Sequence, residues 1–181
     1  MQAFNNNEVH RASRSKTRYW GFALCLLFTQ AAWAEDTSLD RVKVAIEGNW
    51  KLEESLADDE VLHPPQADGR MSLHDGAIMI LMHRESQGTR KSNYGYGTYT
   101  LTKDTWSFGY DRYVTFNDTG SAITAGGAPF VGQRIYQLKL DGSKLIADND
   151  NGTWTFIFDG DAMTYLGKGK PVRKWRRMPA N

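Results

Sequence analysis

The stretch from Tyr94 to Phe116, YGYGTYTLTKDTWSFGYDRYVTF, decides how the rest of the chain is read. Two runs rich in aromatic and β-branched residues flank Lys103-Asp104, the pattern of two long strands joined by a tight turn. In the second run Trp106, Phe108, Tyr110, Val114 and Phe116 alternate with Ser107, Gly109, Asp111 and Thr115. A period of two sends neighbouring side chains to opposite faces, so one face is expected in a core and the other in water.

The same pattern recurs outward from this hairpin. Upstream, GRMSLHDGAIMILMHR (69–84) sets Asp75-Gly76 between apolar runs, a dipeptide whose tolerance of positive φ suits a two-residue hairpin. Downstream, turns expected at Asp141-Gly142, Asn151-Gly152 and Asp159-Gly160 divide residues 130–178 into strands of about five to nine residues. The segment NDTGSAITAGGAP (117–129) reads as a flexible connection, and LADDEVLHPPQADG (56–69) as a loop, since adjacent prolines deny it a central strand. Ahead of them, TSLDRVKVAIEGNW (37–50) carries Leu39, Val42 and Ile46 at helical spacing behind Ser38, a residue suited to capping. The sum is an all-β chain of about eight to ten antiparallel strands with a short N-terminal helix, enough to close an up-and-down barrel and leave no free edge.

Residues 1–34 have a different composition. A basic run with Arg11, Arg14, Lys16 and Arg18 precedes the apolar YWGFALCLLFTQAAWA (19–34), which ends on small residues at Ala32 and Ala34. That is the layout of a signal peptide cleaved after Ala34, and the apolar run is short of the roughly 20 residues of a membrane span. A secreted or periplasmic domain of residues 35–181 is therefore expected, with no integral membrane span. Cleavage would take four cations and one anion, Glu8, from a chain of net charge +1, leaving −2, which gives no reason to expect a nucleic-acid partner. Cys25, the single cysteine, would leave with it, so neither a disulfide nor a thiolate site is expected in the domain.

In a closed meander the first and last strands must pair, which makes GNW (48–50) and KWRRM (174–178) neighbours. Gly48 would admit a close approach, Trp50 would plug the floor, and Arg177, sharing a strand face with Trp175, would lie across an indole. This order of elements resembles the lipocalin-like proteins, relatives of the calycin barrels, and in particular their bacterial branch. The resemblance runs from GNWKL through GRMSLHDGAIMILMHR, YGYGTYTL and GQRIYQLKLDGSKLIA to KWRRM. It implies a barrel that holds a small, mostly apolar ligand.

On a strict period of two, Arg112 shares the face of Trp106, Phe108 and Tyr110, and Arg134 shares that of Phe130, Tyr136 and Leu138. Guanidinium groups among aromatics are costly unless paired, so Arg112 and Arg134 are expected to anchor a ligand's acidic end, to pair with Asp111, Glu53 or Glu54, or to snorkel to a rim. Tyr96, Phe108, Tyr110 and Tyr136 are the expected walls.

Other chemistry is weaker. Met71, His74, Met79, Met82 and His83 offer soft ligands for copper, but methionine is also an ordinary core filler and their convergence depends on register. DNDNGTW (148–154) has Gly152 fifth rather than sixth and so misses the calcium-loop spacing. KGKPVRKWRR (168–177) could touch anionic lipid or simply present solvated cations that discourage edge pairing. No nucleophile elbow, zinc-protease helix or P-loop is present, so no catalytic residue and no cofactor or metal is assigned. Two alternatives stay open: an isomerase or cyclase on the same barrel acting on a lipid or terpenoid, with a buried His or Tyr as acid or base and His74 or His83 as the first suspects, and a barrel filled with side chains that serves as an envelope interaction module.

Overall fold

The computed structural model describes residues 38–117, 122–123 and 132–179. The signal-peptide reading of residues 1–34 and Phe130 lie outside the described residues. A helix, α1, spans residues 38–46. Twelve strands follow: β1 Gly48–Ala57, β2 Glu60–Leu62, β3 Ala67–His74, β4 Ala77–Ser86, β5 Thr89–Leu101, β6 Thr105–Asn117, β7 Ala122–Ile123, β8 Arg134–Asp141, β9 Lys144–Asn149, β10 Trp154–Asp159, β11 Ala162–Gly167 and β12 Lys170–Arg177. Ten of them close a ring in the order β1-β3-β4-β5-β6-β8-β9-β10-β11-β12, with β12 returning to β1. All pairs are antiparallel; β2 pairs the far end of β1, and β7 the far end of β6. The all-β up-and-down barrel expected from the strand pattern is thus the fold, and it is compatible with the lipocalin-like, calycin-type barrel.

The hairpins form where Asp-Gly and related pairs reach positive φ. At the β3–β4 turn Asp75 (φ 49°) and Gly76 (φ 79°) join the facing pair His74 and Ala77. That left-handed pair matches the strand twist, as the dipeptide's tolerance of it requires.

One end of the barrel is solid. Trp50, Leu52, Leu73, Ile78, Trp106, Leu145, Phe158 and Met163 are fully buried there, and α1 covers them with Val42 and Ile46, one turn apart. The carbonyls at the helix's last turn, which have no partner within the helix, are answered by side chains from the strands. Trp50 Nε1 donates to Ile46 O at 3.1 Å. Arg177 donates through Nη2 to Val44 O at 2.9 Å and Ala45 O at 2.8 Å, and through Nη1 to Glu47 O. The same guanidinium lies 4.3 Å from the Trp50 ring centroid. Gly48, at φ 143°, has a backbone that favours glycine, and a Cβ there would fall 2.5 Å from Arg177 Nη1 and displace the guanidinium. Trp50 faces Arg177 and Leu52 faces Trp175 across the β1–β12 seam.

Candidate functional site

The other end of the barrel is hollow. A cavity of about 610 Å³ opens among the inward-facing side chains of β3, β4, β6, β8, β10, β11 and β12. Its floor and walls are aromatic. Trp106 is the hub, with ring centroids 4.8 Å from Phe108, 5.5 Å from Tyr136, 5.1 Å from Phe156 and 5.9 Å from Phe158. Near the mouth Trp154 stacks on Tyr165 at 5.2 Å, and Asn149, Asp150 and Asn151 form the polar lip.

The strand β6 carries the decisive irregularity. Tyr96 on β5 faces Arg112, but the next residue, Gly97, faces Tyr110, so Asp111 is an extra residue on β6. A bulge of this kind reverses the in–out alternation beyond it. Tyr110 and Tyr113 therefore both point inward, their rings 5.2 Å apart, while Arg112 and Phe116 turn to the outside. The expectation that Arg112 shares the face of Phe108 is corrected on this ground: it lies exposed on an outer groove lined also by Met79, Leu81 and Tyr94. Tyr96 is corrected likewise, being 52 % exposed on that outer face rather than a wall of the cup.

The glycines opposite the bulge make it possible. A Cβ at Gly95 would meet the Tyr113 ring at 2.7 Å and the Tyr110 ring at 3.0 Å, so its missing side chain is the space the two phenols occupy. Gly97 approaches the Gly109 carbonyl so closely that any Cβ would clash with backbone.

Arg134, Phe108, Tyr110 and Tyr136 do come together on the cavity wall. The Arg134 guanidinium sits 5.5 Å from the Phe108 centroid and 5.9 Å from that of Tyr110. A second arginine, absent from the sequence expectation, faces the same space: Arg173 lies two residues before Trp175 on β12, over the Tyr165 ring at 5.7 Å. Extending the shared face of Trp175 and Arg177 by one more step of two would have found it. Tyr113, in contrast, has no such signal, because nothing in DRY marks which residue is skipped.

Burial sets the ionisation of these groups. It is the leading cause that raises the Tyr110, Tyr113, Tyr136 and Tyr165 phenols above their ordinary value of 10, so all four remain hydrogen-bond donors at neutral pH. Burial also lowers Arg173 from the ordinary guanidinium value, with the neighbouring charge of Arg84 second. The Trp106 Nε1 is buried without a hydrogen-bond partner among the described residues and belongs to a side chain on the cavity wall.

The soft-ligand cluster is split by the sheet. Met71 and Met82 are buried inside, whereas Met79 is exposed outside and His83 donates to or accepts from Ser92 Oγ at 2.7 Å on the outer side. Among the described residues no three His, Cys, Asp or Glu side chains form a metal-ligating group, and no helix is long and apolar enough to cross a membrane. Neither histidine lines the cavity. No protein-family model, no curated protein and no solved structure matches the chain.

Proposed function

We propose that this is an exported, lipocalin-like binding protein whose barrel takes up a small amphiphile, with the apolar body among Trp106, Phe108, Tyr136 and Phe156 and an acidic end at Arg134 and Arg173. The observation that carries the reading is the cavity itself: about 610 Å³, within the size range of small-molecule sites, lined by aromatics and entered by two guanidinium groups. Transfer of an apolar chain from water into such a cup is favourable by roughly 25 cal/mol per Å² of apolar surface removed from water. Guanidinium forks and protonated phenols then fix the polar end. A cavity of this size argues against the filled-barrel reading. His74 and His83 lie off its wall, so of the His or Tyr groups that the isomerase reading invoked only the tyrosines face the cavity.

Native mass spectrometry of the gently purified protein tests the binding reading. The expected result is a mass increment that vanishes on denaturation; a bare chain mass, together with unchanged tryptophan fluorescence across a panel of amphiphiles, would sink it. Export rests on the composition of residues 1–34 alone. The intact mass of protein recovered from its host is expected to correspond to a chain beginning at Glu35, and retention of residues 1–34 would contradict export.

A further inference from the structure

Four buried side-chain nitrogen or oxygen atoms have no hydrogen-bond partner among the described residues: Ser55 Oγ, Arg84 Nε, Trp106 Nε1 and Arg173 Nε. Buried polar atoms are nearly always satisfied, so orphans need a reason. Three of the four are linked at the hollow end of the barrel. Ser55 on β1 faces Arg173 on β12 in the seam register, which puts a hydroxyl where a carboxylate would have neutralised the arginine. Arg84, on β4 opposite Ala67, bears electrostatically on both Arg173 and Tyr113.

The ion pairs among the described residues join Arg70 to Asp68, Lys144 to Asp159, Lys174 to Glu54, Arg176 to Glu53 and Arg177 to Asp161, and none of them engages Arg84 or Arg173. Among the described residues Asp150 is the one carboxylate on the cavity wall, and it sits at the lip. Two like charges near one another in a partly buried site, with no acid between them, is an arrangement that folding alone disfavours.

We infer that the occupant's head group, placed above at Arg134 and Arg173, is a compact dianion of the phosphate-monoester class that contacts Arg173 and the Tyr113 hydroxyl, with Arg84 as an additional positive charge. This rests on the reading of the cup as an amphiphile site and adds the valence of the head. Arg173 and Tyr113 line the cavity, whereas Arg84 and Ser55 lie off its wall, so Arg173 is the contact and Arg84 a positioning charge. With Arg134 held over the Phe108 and Tyr110 rings, a single carboxylate would still leave either Arg84 or Arg173 uncompensated. A phosphate monoester carries about −1.5 to −2 at neutral pH and three strong acceptor oxygens, which matches both the charge and the donors.

The test compares dodecyl phosphate, dodecanoate and dodecanol by tryptophan fluorescence, with Trp106 and Trp154 on the cavity wall as reporters. Dodecyl phosphate is expected to bind roughly ten-fold more tightly than dodecanoate, a ratio that Arg84→Gln brings towards one while leaving dodecanol unaffected. Ser55→Asp supplies the missing counter-charge directly and is expected to raise thermal stability while abolishing the phosphate preference. It serves equally if the Arg84 variant does not fold. Inorganic phosphate is expected to leave the fluorescence unchanged, since the chain supplies most of the binding; saturation by inorganic phosphate with no gain from the dodecyl group would overturn the assignment to an ester. Equal binding of phosphate and carboxylate, or a preference that survives either variant, overturns the dianion while leaving the amphiphile cup standing. Failure of all three probes to bind overturns both.

Discussion

Arg177 joins three parts of the chain at one point: the end of α1, the Trp50 ring and the side-chain space that Gly48 leaves free. Charged donors to backbone acceptors are worth more than neutral ones, and truncation strands the carbonyls of Val44, Ala45 and Glu47 together. Arg177→Ala is therefore expected to lower unfolding free energy by about 2–3 kcal/mol in urea titrations, with Arg177→Lys recovering only part because one ammonium cannot span three acceptors. A loss below about 0.5 kcal/mol, the size of an ordinary surface substitution, would show that the helix end is satisfied by water instead. Gly97→Ala is a second residue-scale case. Its Cβ would meet the Gly109 carbonyl, a backbone atom with little freedom to yield, and overpacking of this sort costs roughly 1–3 kcal/mol. Gly88→Ala, at a turn glycine with φ 71° and open space around it, gives the backbone cost of losing a left-handed glycine, to be compared with the packing clash at Gly97.

At the scale of the element, β6 is built around Asp111. Deleting that residue would remove the bulge and restore strict alternation while leaving Arg112 opposite Tyr96 on the outside and Tyr113 opposite Gly95 on the inside. Both phenols then keep their inward places, so any ligand response of the fluorescence is expected to survive the deletion; its loss would mean that the kink of the bulge, and not only the register beyond it, shapes the cup's wall. The bulge also explains how far the sequence could be read. The strand count, the Asp75-Gly76 turn, the β1–β12 closure and the inward Trp106–Phe108–Tyr110 run all follow from composition and a period of two. Arg112 does not, because an inserted residue leaves no mark in a single sequence, GYDRYV alternating acceptably in either register; Tyr96 does not, because glycines at 95 and 97 leave that part of β5 without side chains to mark its inner face. Arg173 escaped for another reason. It sits in a run with Lys168, Lys170, Lys174 and Arg176, and a cation among cations reads as solvated unless each is assigned a face.

For the molecule as a whole, the tyrosines set an alkaline limit. Tyr99 is pushed up to about 12, mainly by burial and then by its hydrogen bond to Glu47, with O–O 2.7 Å, and burial raises Tyr110, Tyr113, Tyr136 and Tyr165 as well. Each phenol holds its proton more tightly in the folded chain than in the unfolded one. Their contribution to stability is thus intact below the ordinary value of 10 and is lost as pH rises through the folded values. Unfolding free energy is expected to be insensitive to these groups up to about pH 10 and to fall steeply above it. Phenolate absorbance of the five should appear in one cooperative step with loss of tryptophan fluorescence; independent, gradual ionisation with the fold retained would contradict their burial.

The seam between β1 and β12 also has a consequence in time. Residues 50–55 find their partners only in residues 173–177, so the sheet cannot close while the chain is being synthesised until its twelfth strand has left the ribosome. Until then β1 offers one unpaired edge, and the carbonyls of α1 wait for a guanidinium about 130 residues away. Such non-local closure makes folding slow and leaves nascent strands available to chaperones, so a chain halted before residue 170 should remain protease-sensitive and one released after residue 179 should not.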